Sequence, residues 1–321
     1  MRILLRRCAW LLESLHPWRL APGPLDVLVV NGIVARLGPG IGVEGVDRVV
    51  DCRGELGAAP CFYDALYVRS RGGSTWVDEL LEDVPEATEE DLERLARLGY
   101  CRGLAYARGG RLERRGVVLE TPRLIVKPSG EVLEAGGERL VVAATGVSRR
   151  SVYGLRSRKG VFAVEYLEKL GLMRSELVVI GPWVSSWEFE RIRSVGARVV
   201  YSPWLSGLYR GGAPPAPQHI DALVAGSGGV AEAWELFESL ALLNSTCYWG
   251  RAGLQEAAKI IASSIGLLGG SPVLREGVKA DIQVVETKWI PEGVDPLALL
   301  SARPRVAQLI TRGSLVEPGV V

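Results

Sequence analysis

A chain of 321 residues, 48% apolar and 23% charged, can bury roughly three quarters of the surface that its unfolded form exposes. It therefore needs neither disulfides nor metal to hold a core, and its composition is not that of a disordered chain. With 38 basic and 37 acidic side chains the net charge is +1, and the basic clusters Arg149-Arg150 and Arg156 to Lys159 are too short for the stripe that a phosphate backbone requires, which argues against nucleic acid as a partner.

The opening residues, Met1 to Leu15, set Arg2, Arg6 and Arg7 beside an apolar stretch. Glu13 interrupts that stretch and no small-residue cleavage site follows, so the expectation is a first strand and turn rather than a signal peptide. No apolar run reaches the roughly eighteen residues of a membrane span. Strands Arg2 to Leu5, Leu25 to Val30, Ile33 to Leu37 and Arg48 to Asp51 follow one another, with Asn31-Gly32 as the hairpin turn because both residues tolerate positive φ.

From Pro60 the pattern changes to alternating strands and helices. Cys61 to Val68 reads as a strand, Thr88 to Leu98 as a helix capped by Thr88 ahead of Glu89, Glu90 and Asp91, and Gly103 to Ala107 as the next strand. Leu140 to Ala144, Leu177 to Ile180 and Ala197 to Tyr201 are extended. Val161 to Leu170, Ser185 to Val195, Ala231 to Leu243 and Leu254 to Gly266 are helical. Strands return at Ala280 to Val285 and Ala307 to Thr311. The alternation predicts parallel strands with covering helices, and there is no internal repeat.

Five cysteines, Cys8, Cys52, Cys61, Cys101 and Cys247, form no C-x-x-C pair and are odd in number, which favours reduced thiols in a cytoplasm. The scarcity of Asn, Gln and Met, with Arg in excess over Lys, suits a thermophile, as a GC-rich genome would too.

Val50-Asp51-Cys52-Arg53-Gly54-Glu55-Leu56, followed by Pro60-Cys61-Phe62-Tyr63-Asp64-Ala65, resembles the first βα junction of the amidohydrolase superfamily, in its deaminase and chlorohydrolase branch. Val164 to Leu172 with Val200-Tyr201-Ser202-Pro203, then Glu256 to Leu267 with Gly277-Val278-Lys279-Ala280-Asp281-Ile282, resemble later parts of the same family in the right order. The resemblance implies a TIM-like (β/α) barrel over residues 60–269. It also implies a small composite β-sandwich from residues 1–59 and 270–321, and a site at the C-terminal ends of the barrel strands. Only about thirty residues, Arg108 to Arg139, stand where two full βα units are expected, so a barrel trimmed on that side is expected.

The family's chemistry needs imidazole and carboxylate ligands converging on a divalent metal. By the resemblance those positions fall on Leu66, Val68, Val141 and Gly228, and the acid/base positions on Ala144 and Ile180. None carries a titratable atom, so no metal, cofactor or catalytic residue is expected. The chain has only His16 and His219, read as solvent-facing or capping residues. Asp64 precedes the first lost His and is read mainly as a geometric residue. Cys61 reads as a packed small side chain, and Asp221 as a cap. Gly226-Ser227-Gly228-Gly229 reads as a tight turn more than as an anion cradle. Trp183, Trp187, Trp204 and Tyr201 stand at or after strand ends, where they fill a pocket or wall a planar ligand. Asp64, Trp183 and Trp204 are the candidate ligand contacts.

The leading expectation is a non-catalytic pseudoenzyme that binds a small molecule or a protein partner, with a homodimer favoured if the missing wall exposes apolar surface. The alternative is a hydrolase of non-peptide C–N bonds with a divergent or metal-independent site. A purely structural protein with a plugged mouth is the third.

Overall fold

The structure is a computed structural model that describes residues 1–68, 81–84, 86–107, 110–181, 184–203, 217–248, 252–289 and 296–317. Its first sheet is built from both ends of the chain. β1 (Arg2–Ser14) lies between β2 (Arg19–Val30) and β5 (Leu56–Pro60), and β3 (Ile33–Gly38) adds beyond β2. β4 (Arg48–Asp51) pairs parallel with β1. On the other side β5 pairs with β16 (Ile282–Glu286), which continues to β17 (Arg305–Thr311) and β18 (Ser314–Val316). The Asn31-Gly32 turn has φ of 49° and 76°, the conformation a two-residue hairpin needs.

The inner residues of this sheet, among them Ile3, Leu5, Val27, Val29, Ile282, Val284 and Ile310, form one apolar cluster. Further along β1, Trp10 and Leu12 point into the main core while Leu11 stays in the sheet's own cluster, because alternate residues of a strand face opposite sides. The main core is therefore continuous with the back of this sheet.

The middle of the chain makes two further sheets. One runs β6 (Phe62–Asp64), β7 (Tyr100–Leu104), β9 (Val117–Glu120) and β8 (Arg111–Arg114), and only its β8 edge is antiparallel. The other runs β11 (Val132–Glu134), β10 (Leu124–Val126), β12 (Val141–Ala143), β13 (Leu177–Ile180), β14 (Arg198–Tyr201) and β15 (Leu223–Ala225), parallel from β10 onward. β12, β13 and β15 are buried along their whole length, as central parallel strands covered on both faces are.

At one seam the two sheets meet directly: Ala65 N–H donates to the Ala225 carbonyl at 2.9 Å, and Gly228 N–H to the Leu66 carbonyl at 2.9 Å. At the other, β9 passes to β10 through Thr121-Pro122-Arg123, where proline has no N–H to continue a ladder. Among the described residues no continuous ladder closes the two sheets into a barrel. The short 108–139 stretch resolves into two antiparallel pairs, β8/β9 and β10/β11, in place of two βα units.

Among the described residues the longer helices are α1 (Glu89–Arg97), α2 (Arg149–Lys159), α3 (Ala163–Lys169), α4 (Ser186–Ser194), α5 (Ala233–Tyr248), α6 (Ala252–Leu267) and α7 (Pro296–Ser301). Thr88 caps α1 as expected: its N–H donates to Asp91 Oδ2 at 2.7 Å. The apolar pattern of the sequence does not mark α2, because only Ser151 and Leu155 of its eleven residues are buried and the apolar stripe is too thin. Its local signals are the Ser148 hydroxyl, which accepts from Ser151 N–H at 3.0 Å, and the left-handed Gly160. No helix of the described residues is long and apolar enough to cross a membrane.

A buried polar group ties the sheets together. Asp281, at the entry to β16, accepts from Thr311 Oγ at 2.8 Å, from Arg312 N–H at 3.2 Å and from the Tyr63 hydroxyl, and it lies 3.4 Å from the Arg102 guanidinium. Arg102 also donates to the Leu268 carbonyl at 3.3 Å and sits over the Tyr63 ring. One carboxylate thus serves β6, β7 and β17 at once.

Candidate ligand cavity at the strand ends

The chain just beyond β6 and β7, together with Pro122 and the ends of β12 and β13, lines a half-open apolar cavity of about 50 Å³. Leu66, Val68, Ala144 and Ile180 all line it. These four come from three separate strand regions of the sequence, and the parallel pairing is what brings their ends together. Val141 does not line it. Val142 does, because successive strand residues face opposite sides and Ala144 shares its face with Val142. Gly228 is not in the lining either: its N–H donates to the Leu66 carbonyl, and at its φ of 67° an added Cβ would meet nothing within 4 Å.

Tyr67 and Tyr106 supply the only side-chain polar atoms of the described lining. Neither residue stands out in the sequence, since a tyrosine near a strand end carries no spacing signal. The Tyr67 hydroxyl donates to Asp91 Oδ1 at 3.0 Å, and burial together with that carboxylate pushes its ionisation far above the ordinary phenol range. It is a neutral hydrogen-bonding group. The remaining lining is aliphatic apart from Pro122, which suits a ligand held by shape and dispersion rather than by charge.

Asp64 is wholly buried and does not line the cavity. Its Oδ1 accepts from Leu66 N–H at 3.0 Å and Ser227 N–H at 2.8 Å, and its Oδ2 accepts from the Ser227 hydroxyl. Burial raises this carboxyl to about 7 against the pull of those donors. The group fastens the end of β6 to the turn after β15, so its place is the seam between the sheets.

The Gly-rich turn has no donors to spare. Gly226 N–H goes to the Tyr201 carbonyl at 3.2 Å, Ser227 N–H to Asp64, Gly228 N–H to the Leu66 carbonyl, and Gly229 N–H to Ser227 Oγ at 2.9 Å. An anion cradle needs free N–H groups converging outward, and here all four are used inside the protein. A Cβ on Gly226 would meet Leu66 Cβ and Val200 Cγ1 at 2.7 Å each, which is why the closest approach of the seam falls on glycine.

Cys61 corrects the expectation of reduced, merely packed thiols: it is disulfide-bonded to Cys101, with 6.0 Å between the two Cα atoms. The parallel pairing of Phe62 with Tyr100 sets the two cysteines side by side, a juxtaposition that spacing along the chain cannot reveal. His219 corrects the solvent-facing reading. It is buried, stacked on Phe189 with centroids 5.0 Å apart, and its Nδ1 lies 3.5 Å from Glu190 Oε1. His16 is exposed in the β1–β2 turn.

Asp221 is exposed and ion-paired with Lys259, which holds its carboxyl below the usual range. It lies in the short 3-10 segment Pro217–Ala222. Asp64, Cys61, Asp221 and the Gly-rich turn therefore do not converge on one cavity. Trp187 is exposed on α4 and Tyr201 is buried at the end of β14. Trp183 and Trp204 lie outside the described residues. Among the described residues no group of three His, Cys, Asp or Glu could hold a metal ion.

No family model matches the chain, and no curated protein is similar to it. Solved structures do match. An adenosine deaminase from Xanthomonas campestris with bound zinc has a TM-score of 0.72 at 13% identity, over 99% of this chain and 94% of its own. An amidohydrolase from Brucella melitensis gives 0.67 at 13%, over 99% and 95%. A triazine hydrolase from Arthrobacter aurescens gives 0.66 at 13%, over 99% and 95%. The class is thus an α/β protein with the fold of the amidohydrolases, matched along nearly its full length. At this identity the likeness speaks for the fold alone.

Proposed function

We propose that the cavity at the strand ends receives a small, largely apolar molecule, and that the chain binds it without the metal-assisted hydrolysis of its fold relatives. The observation that carries this reading is the lining itself. Four of the six positions at which the family resemblance places ligands or acid/base groups, Leu66, Val68, Ala144 and Ile180, share one apolar cavity, and among the described residues its polar side-chain groups are those of Tyr67 and Tyr106 alone. Aliphatic side chains at these positions can neither bind a Lewis acid nor move a proton. The setting we assign is the cytoplasm of a thermophile, where buried disulfides persist inside cells.

Hydrolysis of a non-peptide C–N bond is the second reading, and the structural neighbours favour it: two are named for the hydrolysis of triazines and the deamination of adenosine. Both readings use the same cavity. They separate on turnover and metal.

The test uses the protein purified without chelators, its elemental metal content, and a panel of triazines, purines and neutral heteroaromatics read by thermal shift and by product formation. Ligand-induced stabilisation without product, abolished by Ala144→Trp, is the expected result. Stoichiometric zinc or iron with release of ammonia or amine would overturn binding without turnover and establish the second reading.

A further inference from the structure

Cys8 and Cys52 lie outside the cavity and take no part in either reading above. Their Sγ atoms are 3.1 Å apart, inside the ordinary contact distance of two sulfur atoms. Both side chains are buried, at 0% and 1% exposure, in the apolar cluster of the first sheet with Leu5, Val27, Val50 and Ala58 around them. The backbone already holds the geometry: β1 and β4 run parallel through the pair Arg6 and Asp51, and Cys52 N–H donates to the Arg6 carbonyl at 2.9 Å.

The Cys61–Cys101 bond offers an internal comparison, since it too joins buried cysteines at two adjacent parallel strands. From this geometry we propose that Cys8 and Cys52 form a second disulfide, which fastens β4 to β1. Strand β4 has most to gain. It is four residues long, only Val50 of the four is buried, and among the described residues β1 is its one partner in the sheet.

The oxidant is a low-molecular-weight or protein disulfide. One thiolate of the pair attacks a sulfur of the incoming disulfide and displaces a thiolate. The second thiolate then attacks the mixed disulfide, forms the Cys8–Cys52 bond and releases the other reagent sulfur. The reagent leaves as two thiols carrying the two protons that Cys8 and Cys52 give up. In the closed structure the Cys52 thiol and burial hold Cys8 far above the ordinary thiol range, so exchange runs before β4 docks or when it peels from β1.

The experiment equilibrates the full-length protein with oxidised glutathione, unfolds it in denaturant with iodoacetamide, and maps the digested peptides by mass spectrometry. The expected result is a Cys8–Cys52 linked peptide with neither residue alkylated, converted to two alkylated peptides by prior reduction. Alkylated Cys8 and Cys52, or separate glutathione adducts on them, after oxidation would overturn the proposal. In the Cys61→Ser/Cys101→Ser variant, reductant should still lower Tm, and a Tm indifferent to reductant there would also overturn it.

Discussion

Asp64→Asn isolates the cost of a buried carboxylate at the seam between the sheets. In the folded chain the carboxyl keeps its proton to about pH 7, whereas an ordinary aspartate releases it near 3.8. Between those limits the folded state binds the extra proton, so the group's contribution to stability is complete below about pH 4 and is lost as pH rises through about 7. The whole interval corresponds to about 4 kcal/mol at roughly 1.4 kcal/mol per pH unit.

The amide replacement keeps a neutral group of the same shape. Its oxygen can accept from the N–H groups of Leu66 and Ser227, and its NH2 can donate to Ser227 Oγ, whose second lone pair already serves Gly229 N–H. Urea unfolding of both proteins, at pH 5, 6, 7 and 8, reads the difference directly, because every other titrating group is common to the two. The variant's stability relative to the parent should climb by about 3 kcal/mol from pH 5 to pH 8, with most of the rise below pH 7. Parallel pH profiles would refute the reasoning and mean that Asp64 stays ionised throughout.

Asp281→Leu should cost about 3–5 kcal/mol, since it takes from the buried Arg102 guanidinium the nearer of its two carboxylates, leaving Glu120 at 3.9 Å, and adding Arg102→Met should recover much of the loss. A double-mutant cycle in urea measures the coupling. Gly226→Ala should cost about 1–3 kcal/mol by overpacking against Leu66 and Val200, seen as a lower Tm. Thr311→Val removes the 2.8 Å hydrogen bond to Asp281 and should destabilise by about 1–3 kcal/mol in urea, the cost of a buried charged acceptor losing a donor. If the loss is nil, the network around it is dispensable.

The order of residues along the chain carries the features that depend on short-range pattern. The Asn31-Gly32 hairpin, the strand Leu177–Ile180 and the Thr88 cap were legible because each depends on the φ preference, periodicity or hydrogen bond of neighbouring residues. So was the apolar character of Leu66, Val68, Ala144 and Ile180, which residue type alone decides. The tertiary structure decided everything that joins distant positions. It paired Cys61 with Cys101, buried His219 against Phe189, and set Val142 rather than Val141 on the cavity wall. It also used every donor of the Gly226–Gly229 turn within the seam and folded the 111–134 stretch into two antiparallel pairs. Each of these rests on a contact across sheets or between strands, and the energy of such a contact depends on which surfaces meet in space, for which the order of residues along the chain carries no local signal.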